Sequence, residues 1–321
     1  MFFYIADSDV LCQDSDVLFY KNRILRMPRP SSKNIRVDFF QMTITPTETI
    51  ASPLQGFRAI MDGTIANHHD NGGYKREFYG LSNRGAIGFC GSLRKFRNDD
   101  LPKISSLGGT ELDLPLIDGQ GLVEHNCFVF FPRHSVIAIH YNVHANHHTR
   151  LVDTLIGLWG TRVELTPLIS ADTFRRLNQT GTTLVEIEAK IPKPQNPALL
   201  PDPDNFSRHA LDMLNLSDAD NLTFKVGIDQ RYSGMNRRLI NSLKNSIRTL
   251  SQYDPQKLTA KIDENGIISP IDLIADRIKS TQQVEATGRY IPRDTLYNAI
   301  EQAYAEVEND INAYFATGET N

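Results

Sequence analysis

A chain of 321 residues with 40% hydrophobic and 22% charged content can bury a substantial core and is long enough for two domains, which excludes a disordered reading of the whole. Its formal charge of -4 excludes a uniformly basic nucleic-acid binder, so any contact with a polyanion has to sit in a local patch. No stretch reaches the ~18 consecutive apolar residues of a membrane helix, the opening Met1 to Ile5 run lacks the flanks of a signal peptide, and Cys12, Cys90 and Cys127 suit neither a disulfide framework nor a zinc knuckle. A cytoplasmic protein with reduced thiols is expected.

The first thirty-five residues end in Pro28-Arg29-Pro30-Ser31-Ser32 and read as an extension ahead of a first strand, Ile35 to Ile44. A short helix is predicted over Ala51 to Met61, a loop over Asn67 to Gly73, and strands over Glu77 to Leu81 and Ala86 to Cys90. Cys127 to Phe131 and Ser135 to His140 are aromatic and β-branched runs of a hairpin, followed by a helix capped by Thr149 and stopped by Gly160. Val163 to Ile169 and Thr183 to Ile191 alternate as half-buried strands, and Pro192 to Pro203 reads as a linker. A helix over Asn205 to Leu214, a strand over Leu222 to Ile228, a helix over Asn236 to Leu250 and a strand over Lys257 to Asp263 follow, with a turn at Asn265-Gly266. A long amphipathic helix, Asp294 to Phe315, closes the series. Strands and helices mix without strict βαβ alternation, so the class is α+β.

Charge is segregated along this chain. Asn221 to Leu250 carries Lys225, Arg231, Arg237, Arg238, Lys244 and Arg248 against the single acid Asp229, while the last thirty residues are acidic. On a helical wheel Arg237, Lys244 and Arg248 stack on one line opposite Leu239, Ile240, Leu243 and Ile247, a stripe suited to tracking phosphates or simply a solvated face. In the next strand, alternation puts Lys257, Thr259 and Lys261 on one face, able to grip a sugar-phosphate backbone or to protect a sheet edge. Arg94-Lys95-Phe96-Arg97 interleaves cations with an aromatic, a pattern with both a structural and a phosphodiester-binding reading.

Four histidines, His140, His144, His147 and His148, lie within nine residues, and His144 with His148 has the i,i+4 spacing of a metal pair, with Asp153 the first carboxylate after them. This opens a second reading, a metal-dependent hydrolase or nuclease using His140, His144 and His148. No His-Glu-x-x-His, Walker loop, dinucleotide fingerprint or Gly-x-Ser-x-Gly accompanies them, so no metal, cofactor, small-molecule substrate or enzyme activity is expected. A third reading is a protein-protein sensor that acts through its aromatic first half and does not touch DNA.

Arg162-Val-Glu-Leu-Thr-Pro-Leu-Ile169 followed by Thr182-Thr-Leu-Val-Glu-Ile-Glu-Ala-Lys-Ile-Pro192, then the basic helix, the strand Lys257 to Asp263 and the terminal helix, is similar in order to the RexA-like phage-exclusion proteins. The likeness covers roughly Gly121 to Phe315. It implies a sequence-nonspecific double-stranded-DNA-binding homodimer acting in abortive infection with a membrane effector of the RexB type. It also implies two domains of an RdgC-related fold: a globular domain of residues 1–181 completed by 291–321, and an inserted α+β swivel domain of residues 182–290. The family's basic-x-basic pair falls on Thr259-Ala260-Lys261, where Lys261 matches and Thr259 does not. The DNA-binding residues expected on this basis are Arg237, Arg238, Lys244, Arg248, Lys257 and Lys261.

Overall fold

The computed structural model describes residues 31–71, 74–99, 101–179, 181–193, 205–227, 247, 249–250, 253, 255–286 and 290–318. Over these the chain is α+β, built on two antiparallel sheets. The first sheet takes its shape from one long strand, β1 (Ser31–Ile44), whose apolar residues alternate between two faces. After it come α1 (Pro53–Met61), β2 (His68–Asn71), β3 (Tyr74–Asn83), β4 (Phe89–Arg97), β5 (Leu122–Phe131), β6 (Val136–His140), α2 (His148–Trp159) and β7 (Val163–Pro167). The chain then runs through α3 (Ala171–Asn178), β8 (Thr182–Pro192), α4 (Asn205–Ser217), β9 (Asn221–Gly227), β10 (Lys257–Glu264), β11 (Ile267–Asp272), β12 (Lys279–Ala286) and α5 (Arg293–Gly318).

The first sheet has the order β12-β1-β6-β5-β4-β3-β2, with β7 also paired to β1. Because β6 pairs with Val37 to Gln41 while β12 takes Ser31 to Asp38 and β7 takes Phe40 to Ile44, β12 and β7 share one edge of β1 end to end. Both faces of this sheet are covered. Val37, Phe39, Cys127, Val129 and Ala138 meet α5 through Leu296, Ile300, Ala303 and Val307, and Phe40, Phe78, Phe128, Phe130 and Ile137 meet α1 and α2 through Phe57, Leu155 and Trp159. Double coverage explains the unbroken buried run Cys127 to Phe131, which a half-exposed strand would not tolerate. Ser52 caps α1 by accepting from the Gln55 amide at 3.3 Å. The cap of α2 is His147 and not Thr149, its Nδ1 accepting from the Thr149 amide, and Gly160 ends the helix at φ 63°.

The second sheet, β11-β10-β8-β9, buries Leu184, Ile187, Ala189, Leu258, Ala260 and Ile262 beneath α4 and Ile247, Leu250 and Tyr253. Its β10–β11 hairpin turns at Asn265 (φ 57°) and Gly266 (φ 89°), the positive-φ pair of a two-residue type I′ turn. The chain leaves the first sheet and returns to it at one place. Ser170 donates its amide to Asp276 O at 2.8 Å, Ile278 donates to Leu168 O at 2.8 Å, and the Thr173 hydroxyl reaches Asp276 Oδ2 at 2.8 Å.

Two further readings of the sequence change here. Lys279–Ala286, placed within the segment 182–290, pairs with β1 and belongs to the first sheet, because the first half of β1 would otherwise present an unpaired edge. Within Asn67 to Gly73, read as a loop, His68–Asn71 is a strand paired with β3. The predicted helix Asn236 to Leu250 lies outside the described residues except Ile247, Thr249 and Leu250. Among the described residues no helix is long and apolar enough to cross a membrane.

Candidate nucleic-acid interface

The face of the second sheet turned away from its core carries the lysines. Alternation buries Leu258, Ala260 and Ile262 of β10, which sends Lys257, Thr259 and Lys261 to the other side. The same rule, with the β8 irregularity opposite Lys261 and Ile262, brings Glu186, Glu188 and Lys190 to that side of β8, and Thr223 and Lys225 to that side of β9. Register then forms rows across the strands: Thr223, Lys190 and Lys257; Lys225, Glu188 and Thr259; Gly227, Glu186 and Lys261.

The lysines on this face are largely engaged. Lys257 Nζ lies 2.5 Å from Glu188 Oε1, and Glu186 Oε1 is shared between Lys225 at 3.0 Å and Lys261 at 3.1 Å. Hydrogen bonds from Lys225 and then Lys261 hold the Glu186 carboxyl below the usual carboxylate range. These pairs are solvent-facing and screened, so a denser array of phosphate charge can compete for the same ammonium groups. Lys190 and Lys257 sit directly opposite each other, an unfavourable like-charge arrangement that an incoming anion would relieve. Over these three rows Lys190, Lys225, Lys257 and Lys261 stand against Glu186 and Glu188, a local charge of 4 − 2 = +2, while β10 ends in two further acids, Asp263 and Glu264. Asp263, two residues beyond Lys261 on the same side, accepts from the Gly266 amide at 2.6 Å, and Asp272, opposite Thr259 on β11, accepts from the Ile274 and Ala275 amides at 3.0 Å.

Of the six cations expected from the sequence to bind DNA, Lys257 and Lys261 therefore share an exposed face, each with a glutamate partner. Arg237, Arg238, Lys244 and Arg248 lie outside the described residues. Lys190 was missed, and Lys225, counted in the basic segment, was not named as a contact, although the alternation of their own strands carries the signal. Arg94-Lys95-Phe96-Arg97 forms the end of β4, where Lys95 turns to Glu124 at 3.3 Å and Arg94 turns to the opposite side of the strand, over Tyr79 and Phe96.

The histidine set does not converge. His140 pairs in register with Val37, whose side chain belongs to the α5 side of the first sheet, whereas the His148 ring lies tilted against Phe40, 4.6 Å between centroids, on the α2 side. His144 lies in the exposed loop between them. Among the described residues no group of three His, Cys, Asp or Glu side chains is placed to hold a metal ion. Burial, with a smaller push from His125, lowers His140 to about 4, so its ring is neutral near pH 7.

Comparison of the sequence with models of known protein families and with curated proteins finds no match. The functional reading therefore rests on these residues and on the order of segments quoted above.

Proposed function

We propose that the chain binds double-stranded DNA without sequence preference through the open face of its second sheet. The observation that carries this reading is the placement of Lys190, Lys225, Lys257 and Lys261 in register on one solvent-facing surface of β8, β9 and β10. Lysines on strands spaced about 4.8 Å apart can follow a phosphate backbone, and they contact no base edge, which accounts for indifference to sequence. In this reading the second sheet is an inserted swivel unit of an RdgC-related fold, entered at Leu168 to Ser170 and left at Asp276 to Ile278, where the two crossings are hydrogen-bonded side by side. On this reading the unit would run from about 170 to about 276, ending before the limit of the segment 182–290 and starting ahead of it. The homodimer, the role in phage exclusion and a membrane effector of the RexB type enter the proposal from the RexA-like order of segments alone.

The test is a double substitution, Lys257→Ala with Lys261→Ala, measured by fluorescence anisotropy against several unrelated duplexes. Affinity for all of them is expected to fall together, with the log-log salt slope shallower by up to about 1.8, the contribution of two phosphates at about 0.9 each. Unchanged binding, or loss for one duplex alone, contradicts the proposal.

A further inference from the structure

The first sheet ends at β12, with no strand beyond it among the described residues. Which of its backbone groups stay open follows from β1. Arg36 O accepts from the Tyr141 amide at 2.8 Å on the β6 side, and Phe39 O accepts from the Leu168 amide at 3.0 Å on the opposite side. In an antiparallel strand the N–H and C=O of one residue point the same way, and successive residues alternate. Ile35 and Val37 therefore turn their backbone groups to β12, and their register partners Gln282 and Ser280 return them. Lys279, Thr281, Gln283 and Glu285 are left directing N–H and C=O outward.

The side chains of these same four residues are exposed on the sheet face away from α5. Those between them belong to the α5 side, where Val284 joins the core and Glu306 Oε2 accepts from Ser280 at 2.6 Å and Gln282 at 2.7 Å. Open edges are commonly blunted by a bulge or a proline, yet β12 contains no proline and its register with β1 is unbroken. Its charges stand at opposite ends. Lys279 opens the strand and Glu285 lies near its close, and neither has an ion-pair partner among the described residues. Asp38, in register with Lys279, is taken by Arg36 at 2.7 Å.

We propose that β12 pairs antiparallel with β12 of a second copy of the chain, joining the two first sheets into one. Outward residues must meet outward residues, which restricts the register, and the pairing centred on Gln282 uses the whole edge. It sets Lys279 opposite Glu285 of the second copy and Thr281 opposite Gln283 of the second copy, and the two-fold axis repeats both matches. The strand is thus complementary in charge to itself. Centring on Thr281 or Gln283 instead leaves both charges unmatched and shortens the paired edge. The axis stands perpendicular to the sheet between the two Gln282 residues, so α5 of both copies lies on the same side. This pairing gives the homodimer of the proposed function a surface, but β12 alone carries it and the lysine face does not enter.

Sedimentation equilibrium of the full chain over about 1 to 100 μM tests it, with a concentration-dependent dimer expected. Thr281→Pro removes an outward amide and no bond to β1, so the fold is expected to stand while the dimer weakens by about tenfold or more. Lys279→Glu sets like charges opposite each other in both end pairs and is expected to weaken association by about tenfold. Adding Glu285→Lys to it exchanges the charges and restores the dimer, a rescue that keeps the test decisive if the proline variant misfolds. Lys257→Ala with Lys261→Ala leaves association unchanged. A monomer throughout the range, a dimer indifferent to Thr281→Pro in a normally folded variant, or an exchanged pair that fails to restore association overturns this pairing, and duplex anisotropy on the same samples reads the lysine face separately.

Discussion

Glu186→Gln should make the protein a better DNA binder. Glu186 Oε1 holds Lys225 at 3.0 Å and Lys261 at 3.1 Å, so a single neutral substitution releases two ammonium groups and raises the charge of the three lysine rows from +2 to 4 − 1 = +3. If each released lysine meets one phosphate, the log-log salt slope steepens by about 0.9 to 1.8. Across a fourfold change in salt, that is worth about 3.5-fold for one added contact and about 12-fold for two, appearing as tighter binding at the low-salt end. Anisotropy of a labelled random-sequence duplex, with wild type and variant titrated side by side over the same salt series, measures both quantities. Stability should move little, since the pairs removed are exposed. Equal or weaker binding by a normally folded Glu186→Gln protein, with the slope unchanged, would show that these lysines do not contact phosphate.

Three further outcomes follow from the packing. His140 is neutral when folded down to about 4, whereas the unfolded ring takes up a proton from about 6.5 downwards, so the unfolded state binds more protons between these values. Stability in urea should hold above about pH 6.5 and decline towards pH 4 by up to about 3 kcal/mol. His140→Leu should remove most of that decline, leaving a residue from His125, which is shifted the same way; a profile identical to wild type would contradict this. In Gly56→Ala the new Cβ would meet Trp159 Cε2 at 2.4 Å, so α1 and α2 have to separate, at a cost of about 1 to 3 kcal/mol. Trp159 is the chain's one tryptophan, and a red-shifted emission with a lower melting temperature checks the point, an unchanged spectrum counting against it. Leu214→Ala empties a fully buried position in the second core and should cost about 2 to 5 kcal/mol in urea denaturation. A loss well below 1 kcal/mol would mean that this core is not closed over α4.

What the sequence discloses follows the range of the interaction concerned. The strand at Lys257 and its exposed lysines are legible because a half-buried antiparallel strand writes its two faces into alternate residues, and α5 is legible because its buried stripe repeats every three or four residues. The partners of those lysines are not legible. Glu186 and Glu188 lie about seventy positions away from β10 and meet it through a register that the bulge in β8 adjusts. Lys279–Ala286 reads poorly as a strand because it buries few large apolar groups, Val284 among them, and owes its form to the open edge of β1. The histidines illustrate the same limit: nearness along the chain suggests a ligand set, but one belongs to the sheet and another to a helix on its far side. Arg293 comes to Tyr79 across more than two hundred positions, a meeting that no local pattern encodes.

Lysine footprinting tests the central claim most directly. Brief acetylation of the full chain, read by mass spectrometry with and without saturating random-sequence duplex, reports each ammonium group separately. Lys190, Lys225, Lys257 and Lys261 are expected to be protected together by duplex, while the exposed Lys75, Lys103 and Lys279 of the rest of the molecule keep their reactivity. Equal labelling of the four lysines in the presence and absence of DNA would contradict the account.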